Sequence, residues 1–168
     1  ALLNDDMPPA IAAGGGVYFT GAAFGAPVRA TADVMTSDPI VDDWEQSALV
    51  RYDAENEWVS RALGLAGQLF ERSGGRYAVV PGLLEGPSDI CAELRGATRL
   101  AGDLYEFPEE VRDIARMATD AWKAYAADLY DTIPLYDGGT VTQWFVWAPG
   151  RGAALQEDFC TLVSPEQY

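Results

Sequence analysis

No histidine occurs anywhere in the 168 residues. A Ser-His-Asp triad, a Cys-His pair and a His-ligated metal are therefore excluded within this chain. Carboxylates, tyrosine, lysine, thiol or a bound cofactor must carry any reaction. Glu85 stands between the apolar run Arg76-Tyr77-Ala78-Val79-Val80 and Gly86-Pro87. A carboxylate there either works at a strand end, as general base or as partner of a cation or hydroxyl, or caps the helix that Ser88 opens. Asp158, with Gln156 and Glu157, ends the last strand-like segment. Two carboxylates on neighbouring strand ends can hold a metal, share a proton or orient a substrate; the other reading of Asp158 is a solvated acidic loop. If the pair were to hydrolyse a glycoside, their separation would decide the stereochemistry.

Trp144 and Trp147 form an aromatic wall for a flat or apolar ligand, or else pack a sheet against helices. Arg151, in Pro149-Gly150-Arg151-Gly152, is the candidate anion contact. That stretch lacks the Lys-Ser/Thr of a phosphate loop. Asp89 reads as the first-turn dipole partner of its own helix. Cys160, beside Phe159 and Leu162, reads as a buried structural thiol. Cys91 and Cys160 lack metal-ligand spacing, so the sequence contains no metal motif.

Eleven basic residues against 26 acidic ones give a net charge of −15. Such a surface repels phosphate backbones, and the arginines are scattered, so no nucleic-acid partner is expected. No apolar run reaches membrane-spanning length. The N-terminal ALLNDDMPPA carries acids where a signal peptide carries bases. With two thiols and no disulfide pattern, the expected location is cytoplasmic.

The elements that must position these side chains alternate. Val17-Tyr18-Phe19-Thr20, after three glycines, reads as a first strand. A helix starts at Asn56, carries Trp58, Ala62, Leu65, Ala66, Leu69 and Phe70 on one face, and stops at Gly74-Gly75. The strand at 76–80 follows, then a helix from Ser88 to about Gly96. Pro108 opens the longest helix, with Val111, Ile114, Ala118, Ala121, Trp122, Tyr125 and Leu129 in one stripe. Thr140 to Trp147 reads as the next strand. Ser164-Pro165-Glu166-Gln167 then reads as a helix start. This order predicts an α/β chain built from parallel βαβ units, with about three strands where a closed barrel has eight.

Several of these stretches, in order, resemble the uroporphyrinogen decarboxylase superfamily, which also contains corrinoid-linked methyltransferases. They are VYFTGAAFGAPVR (17–29), DPIVDDW (38–44), EGPSDICAELRG (85–96), LYEFPEEV (104–111) and LQEDFCTLVSPEQY (155–168). The resemblance implies a partial (β/α)8 barrel with parallel strands, truncated after about three of them. Residues 1–168 would be one partial barrel domain, irregular with the first strand over 1–55 and built of βα units over 56–168. In that frame the chain reads as a fragment. The site would lie at the C-terminal strand ends.

The family's acidic first-strand residue has no counterpart in Val17–Thr20, nor does its basic substrate clamp. Methyl transfer is therefore favoured over porphyrinogen decarboxylation. Glu85 and Asp158 are the candidate catalytic residues; Trp144, Trp147, Gln156 and Arg151 are the substrate-binding candidates. Zinc and a corrinoid are cofactors that the resemblance implies, with zinc ligands outside this chain. The partner would be a small-molecule substrate. The rival reading is a non-catalytic α/β binding or assembly module, or a half-barrel that completes itself as a homo-oligomer.

Overall fold

A computed structural model describes residues 7–13, 19–33, 35–82 and 85–167. Its frame is a parallel strand pair covered on one face by helices. β1 (Ala10–Ala12) runs parallel to β4 (Ala78–Val80), in register Ala10 to Ala78 and Ala12 to Val80. α2 (Glu57–Ser73) connects into β4. Side chains alternate across a strand, so Val79 enters the helical core while Ala78 and Val80 face the other way, against Val141 and Tyr136.

The helices begin and end for local reasons. Asn56 Oδ1 accepts from the amides of Trp58 (2.8 Å) and Val59 (3.4 Å), capping α2. Gly74, at φ 53°, ends it in the left-handed region that glycine enters without penalty. α3 (Pro87–Arg95) starts at Gly86 with Pro87 in its first turn. The expectation that Ser88 caps this helix is thus corrected: Ser88 lies inside the first turn, and its hydroxyl and amide donate to Glu157.

α4 (Ala97–Glu106) follows after Gly96, and α5 (Pro108–Thr132) after Phe107. α4 is an element that the sequence reading does not contain; its Leu100 and Asp103 are buried. α5 buries Val111, Ile114, Ala118, Ala121, Tyr125 and Leu129, as its periodicity predicts. The upper part of this stripe meets α3, α4 and Phe24, and the lower part meets α2 and Val79. Trp122, partly buried, touches both clusters. Each fully buried large side chain, such as Ile114 or Leu129, contributes about 1.5–3 kcal/mol.

Two strand expectations change. Phe19 and Thr20 open α1 (Phe19–Ala23), whose five residues are all buried; Val17 and Tyr18 lie outside the described residues. The stretch from Thr140 to Trp147 is an antiparallel hairpin of β5 (Gly139–Val141) and β6 (Trp147–Pro149), not one strand. Thr142 accepts from Phe145 N (2.8 Å) in its turn, where Phe145 takes φ 59°. Gly139 is required in the hairpin because the Trp147 ring and the Ala148 carbonyl occupy the place of a Cβ. A second hairpin, β2 (Val28–Ala30) with β3 (Met35–Ser37), lies near α1. At the far end, the Gln167 amide donates to Ser164 O (3.0 Å), and Gln167 Oε1 accepts from Ser164 N (3.2 Å). The capping contact expected for this sequence is therefore formed.

No helix among the described residues is long and apolar enough to cross a membrane.

Candidate functional site

Beyond β4 the chain reaches Glu85, which forms a parallel bridge with Gln156. Gly86 N donates to Gln156 O at 2.7 Å. This bridge sets the 155–158 segment beside Glu85, in the connection from β4 to α3. The side chain of Glu85 is 5% exposed, and its Oε2 has no hydrogen-bond donor among the described residues. A buried carboxylate oxygen without a donor is costly, so the neighbouring groups matter.

The decisive neighbour is Glu93, two turns along α3. Its carboxyl group neighbours that of Glu85, and each acts on the proton affinity of the other. The Thr20 hydroxyl on α1 also reaches Glu85, while the Gly21 backbone and the Ser37 hydroxyl approach Glu93. Glu93 Oε2 and Ser37 fill the place of a Cβ on Gly21, which is why α1 can lie so close. Burial raises the proton affinity of Glu85 above the ordinary carboxylate range, and the charge of Glu93 adds to it. Glu93 is raised too, again chiefly by burial, with Gly21, Glu85 and Ser37 opposing.

Two more carboxylates extend the cluster. Asp89, buried, accepts from the amides of Asp158 (2.8 Å) and Phe159 (2.7 Å). It lies in the first turn of α3, and it also satisfies the opening amides of the 3-10 turn Asp158–Leu162. Glu157 takes the Ser88 amide and hydroxyl, and burial raises its proton affinity in spite of those donors. Its Oε1 occupies the place of a Cβ on Gly86, so that glycine makes room for it.

The predicted residues are distributed unevenly around this cluster. Glu85 is central, and Gln156 is its backbone neighbour. The side chain of Asp158 is exposed and accepts from Gln156 Nε2 at 2.6 Å; its backbone amide, not its carboxylate, engages the buried acids. Trp144 is 61% exposed at the β5–β6 turn. Trp147 is exposed on β6 and donates Nε1 to Tyr136 O at 3.0 Å. Arg151 is exposed and pairs with Asp131 of α5 at 2.9 Å. These three side chains thus belong to the hairpin and its margin.

Cys160 is exposed, which corrects the expectation of a buried thiol; Cys91 is the buried one. Burial, then the charge of Glu157, pushes the Cys91 thiol up to about 12, which makes it inert.

Sequence reasoning missed Glu93, Thr20 and Ser37. One signal was available: Asp89 and Glu93 are four apart, on one helix face, where like charges repel. Such a pairing on an otherwise ordinary helix asks for a reason.

The donor set does not fit zinc: no group of three or more Cys, Asp or Glu side chains among the described residues could hold a metal, and the two thiols stand apart. A cavity of about 540 Å³ lies between α3, α4, α5 and the last segment. It is lined by Leu100, Leu104, Val111 and Phe159, with Glu157 at its edge, and Glu85 is not part of its wall. It therefore offers no corrinoid seat at Glu85.

No family model and no curated protein matches the chain. A solved structure does share its fold. A methyltransferase from Methanosarcina mazei superposes with a TM-score of 0.63 at 16% identity, over 73% of this chain and 37% of that one. The chain thus spans little more than a third of that protein's length. At this identity the likeness establishes a common mixed α/β fold and no more.

Proposed function

We propose that this chain supplies the opening βα units of a (β/α)8 barrel whose site carries out methyl transfer on a small molecule. The supporting observation is the parallel bridge between Glu85 and Gln156, which sets the 155–158 segment beside a carboxyl cluster in the connection from β4 to α3; barrel enzymes keep their chemistry on such strand-to-helix connections. The shared fold with a methyltransferase favours this chemistry among those a barrel can host. Glu85 is the substrate-facing acid or base. Asp158 and Gln156 form the exposed margin that a substrate crosses. Trp144 and Trp147 are an apolar flank, and Arg151 a contact for an anionic substituent.

No step is routed through zinc or a corrinoid, and no group of three or more Cys, Asp or Glu side chains among the described residues could hold a metal. What the chain's own groups contribute is the placing of a proton at the Glu85 carboxyl and the exclusion of water by α1.

The test uses the full-length protein with donors that carry an isotopically labelled methyl group on nitrogen, oxygen or sulfur. Label should pass to a small acceptor, and Glu85→Gln should slow it at least about tenfold, as loss of a general acid or base does. Equal rates in the wild type and Glu85→Gln, or no transfer from any donor, would dismiss this reading.

A further inference from the structure

Four carboxyl groups, Glu85, Asp89, Glu93 and Glu157, lie on or around α3. None of them is in a salt bridge with any lysine or arginine among the described residues. With no cation beside them, the buried members of this group must be balanced in another way. Glu85 Oε2 is buried and has no donor among the described residues. Glu93 Oε2 is likewise buried and without an aligned donor. Yet the two carboxyl groups are neighbours, each acting on the proton affinity of the other. Two carboxylates cannot hydrogen-bond without a hydrogen, because each offers only acceptors when ionised.

We propose that Glu85 and Glu93 form a one-proton acid unit, a single hydrogen held between two carboxyl groups, ready for a basic atom brought to the connection between β4 and α3. Glu85 is the donor and Glu93 the acceptor. Thr20 from α1 steadies the first; Gly21 of α1 and Ser37 of β3 steady the second. Asp89 on α3 adds a negative charge beside both, which resists loss of the proton. When a neutral amine, alkoxide or similar base accepts the proton, the O–H bond of Glu85 breaks and the new N–H or O–H bond forms. The pair is then left with two negative charges, beside the cation or neutral product just made. Recovery needs one proton from water. Glu93 in this account is a positioning residue, since it acts through Glu85. The unit stands whatever the transferred group, so it is independent of the methyl-transfer reading.

Infrared spectroscopy tests it without any activity assay. At neutral pH the wild type should show the C=O stretch of a protonated carboxyl group, shifted in D2O. Glu85→Gln should abolish that band. Glu93→Gln should keep it but lower its titration midpoint by about one pH unit or more, because the like charge is gone. Lack of the band in the wild type at neutral pH overturns the proposal, as does a band that neither substitution moves. Magnesium or sodium ions added at fixed pH should leave the band unchanged. Its loss on adding either ion would overturn the shared proton in favour of a cation site. Should Glu85→Gln fail to fold, the wild-type pH titration and ion addition decide the matter alone.

Discussion

One helix, α3, buries charge in two opposite ways. Arg95 near its end gives Nε to Asp103 Oδ2 at 2.7 Å and Nη1 to the Val41 carbonyl at 2.9 Å, and also reaches the Asp42 carbonyl. Its guanidinium lies 4.4 Å from the Trp44 ring centroid. Both ionised side chains are 7% exposed, and their charges cancel. Two residues earlier Glu93 meets Glu85, with charges of the same sign and no cation. The first arrangement ties α3 to α4 and to the 41–42 loop and asks nothing further of the molecule. The second is stable only with a proton. Opposite charges buried together make a joint, while like charges buried together make something that can titrate.

The contrast can be broken at its strong side first. Arg95→Met leaves Asp103 buried without a partner and two carbonyls without donors, and should cost about 3–5 kcal/mol in denaturant unfolding. Adding Asp103→Leu should recover most of that loss, because the stranded charge goes too. If the double variant is as unstable as the single one, the pair is not the joint described here.

On the other side, Gly21→Ala places a methyl where Glu93 Oε2 and Ser37 now lie. Crowding of this kind should destabilise by about 1–3 kcal/mol. Thermal unfolding would report it, and an unchanged midpoint would show that α1 does not press on the pair.

Next in size is a pH effect. Both glutamates bind their protons more tightly in the folded chain than in the unfolded one. The folded state therefore holds protons that the unfolded state has already lost above the ordinary carboxylate range. Stability from this pair is full at acidic pH and falls as pH rises. Glu85→Gln removes that fall and should gain about 1–2 kcal/mol over the wild type at mildly alkaline pH, with little gain in acid. Parallel stability curves for the two proteins would contradict the sign.

The smallest effect belongs to the hairpin. Trp144→Ala, at an exposed turn, should shift stability by less than about 0.5 kcal/mol. A larger loss would mean that this tryptophan packs in a way its exposure hides.

Much of this was legible residue by residue. Asn56 and Gly74 announce the ends of α2, Pro108 announces α5, and the 3.6-residue stripe of α5 names its buried face without any tertiary knowledge. The run at 76–80 declares a covered strand, and Glu85 draws notice by its place after it. The absence of histidine and the excess of acid are facts of composition. These features are local, set by caps, periodicity and residue type, so a linear reading reaches them.

Tertiary structure decided the rest. Phe19-Thr20 has the composition of a strand, but burial against α2 and α3 makes it a helix. The tract from Thr140 to Trp147 alternates like one strand, yet Thr142 and Phe145 close a turn inside it. Cys160 and Cys91 look alike in sequence, and only packing buries one of them. The meeting of Glu85 with Glu93, and the approach of Thr20 and Ser37, depend on where three separate elements come to rest. Side-chain type limits what a residue can do; its neighbours across the fold settle its burial and its charge, and those come only from long-range packing.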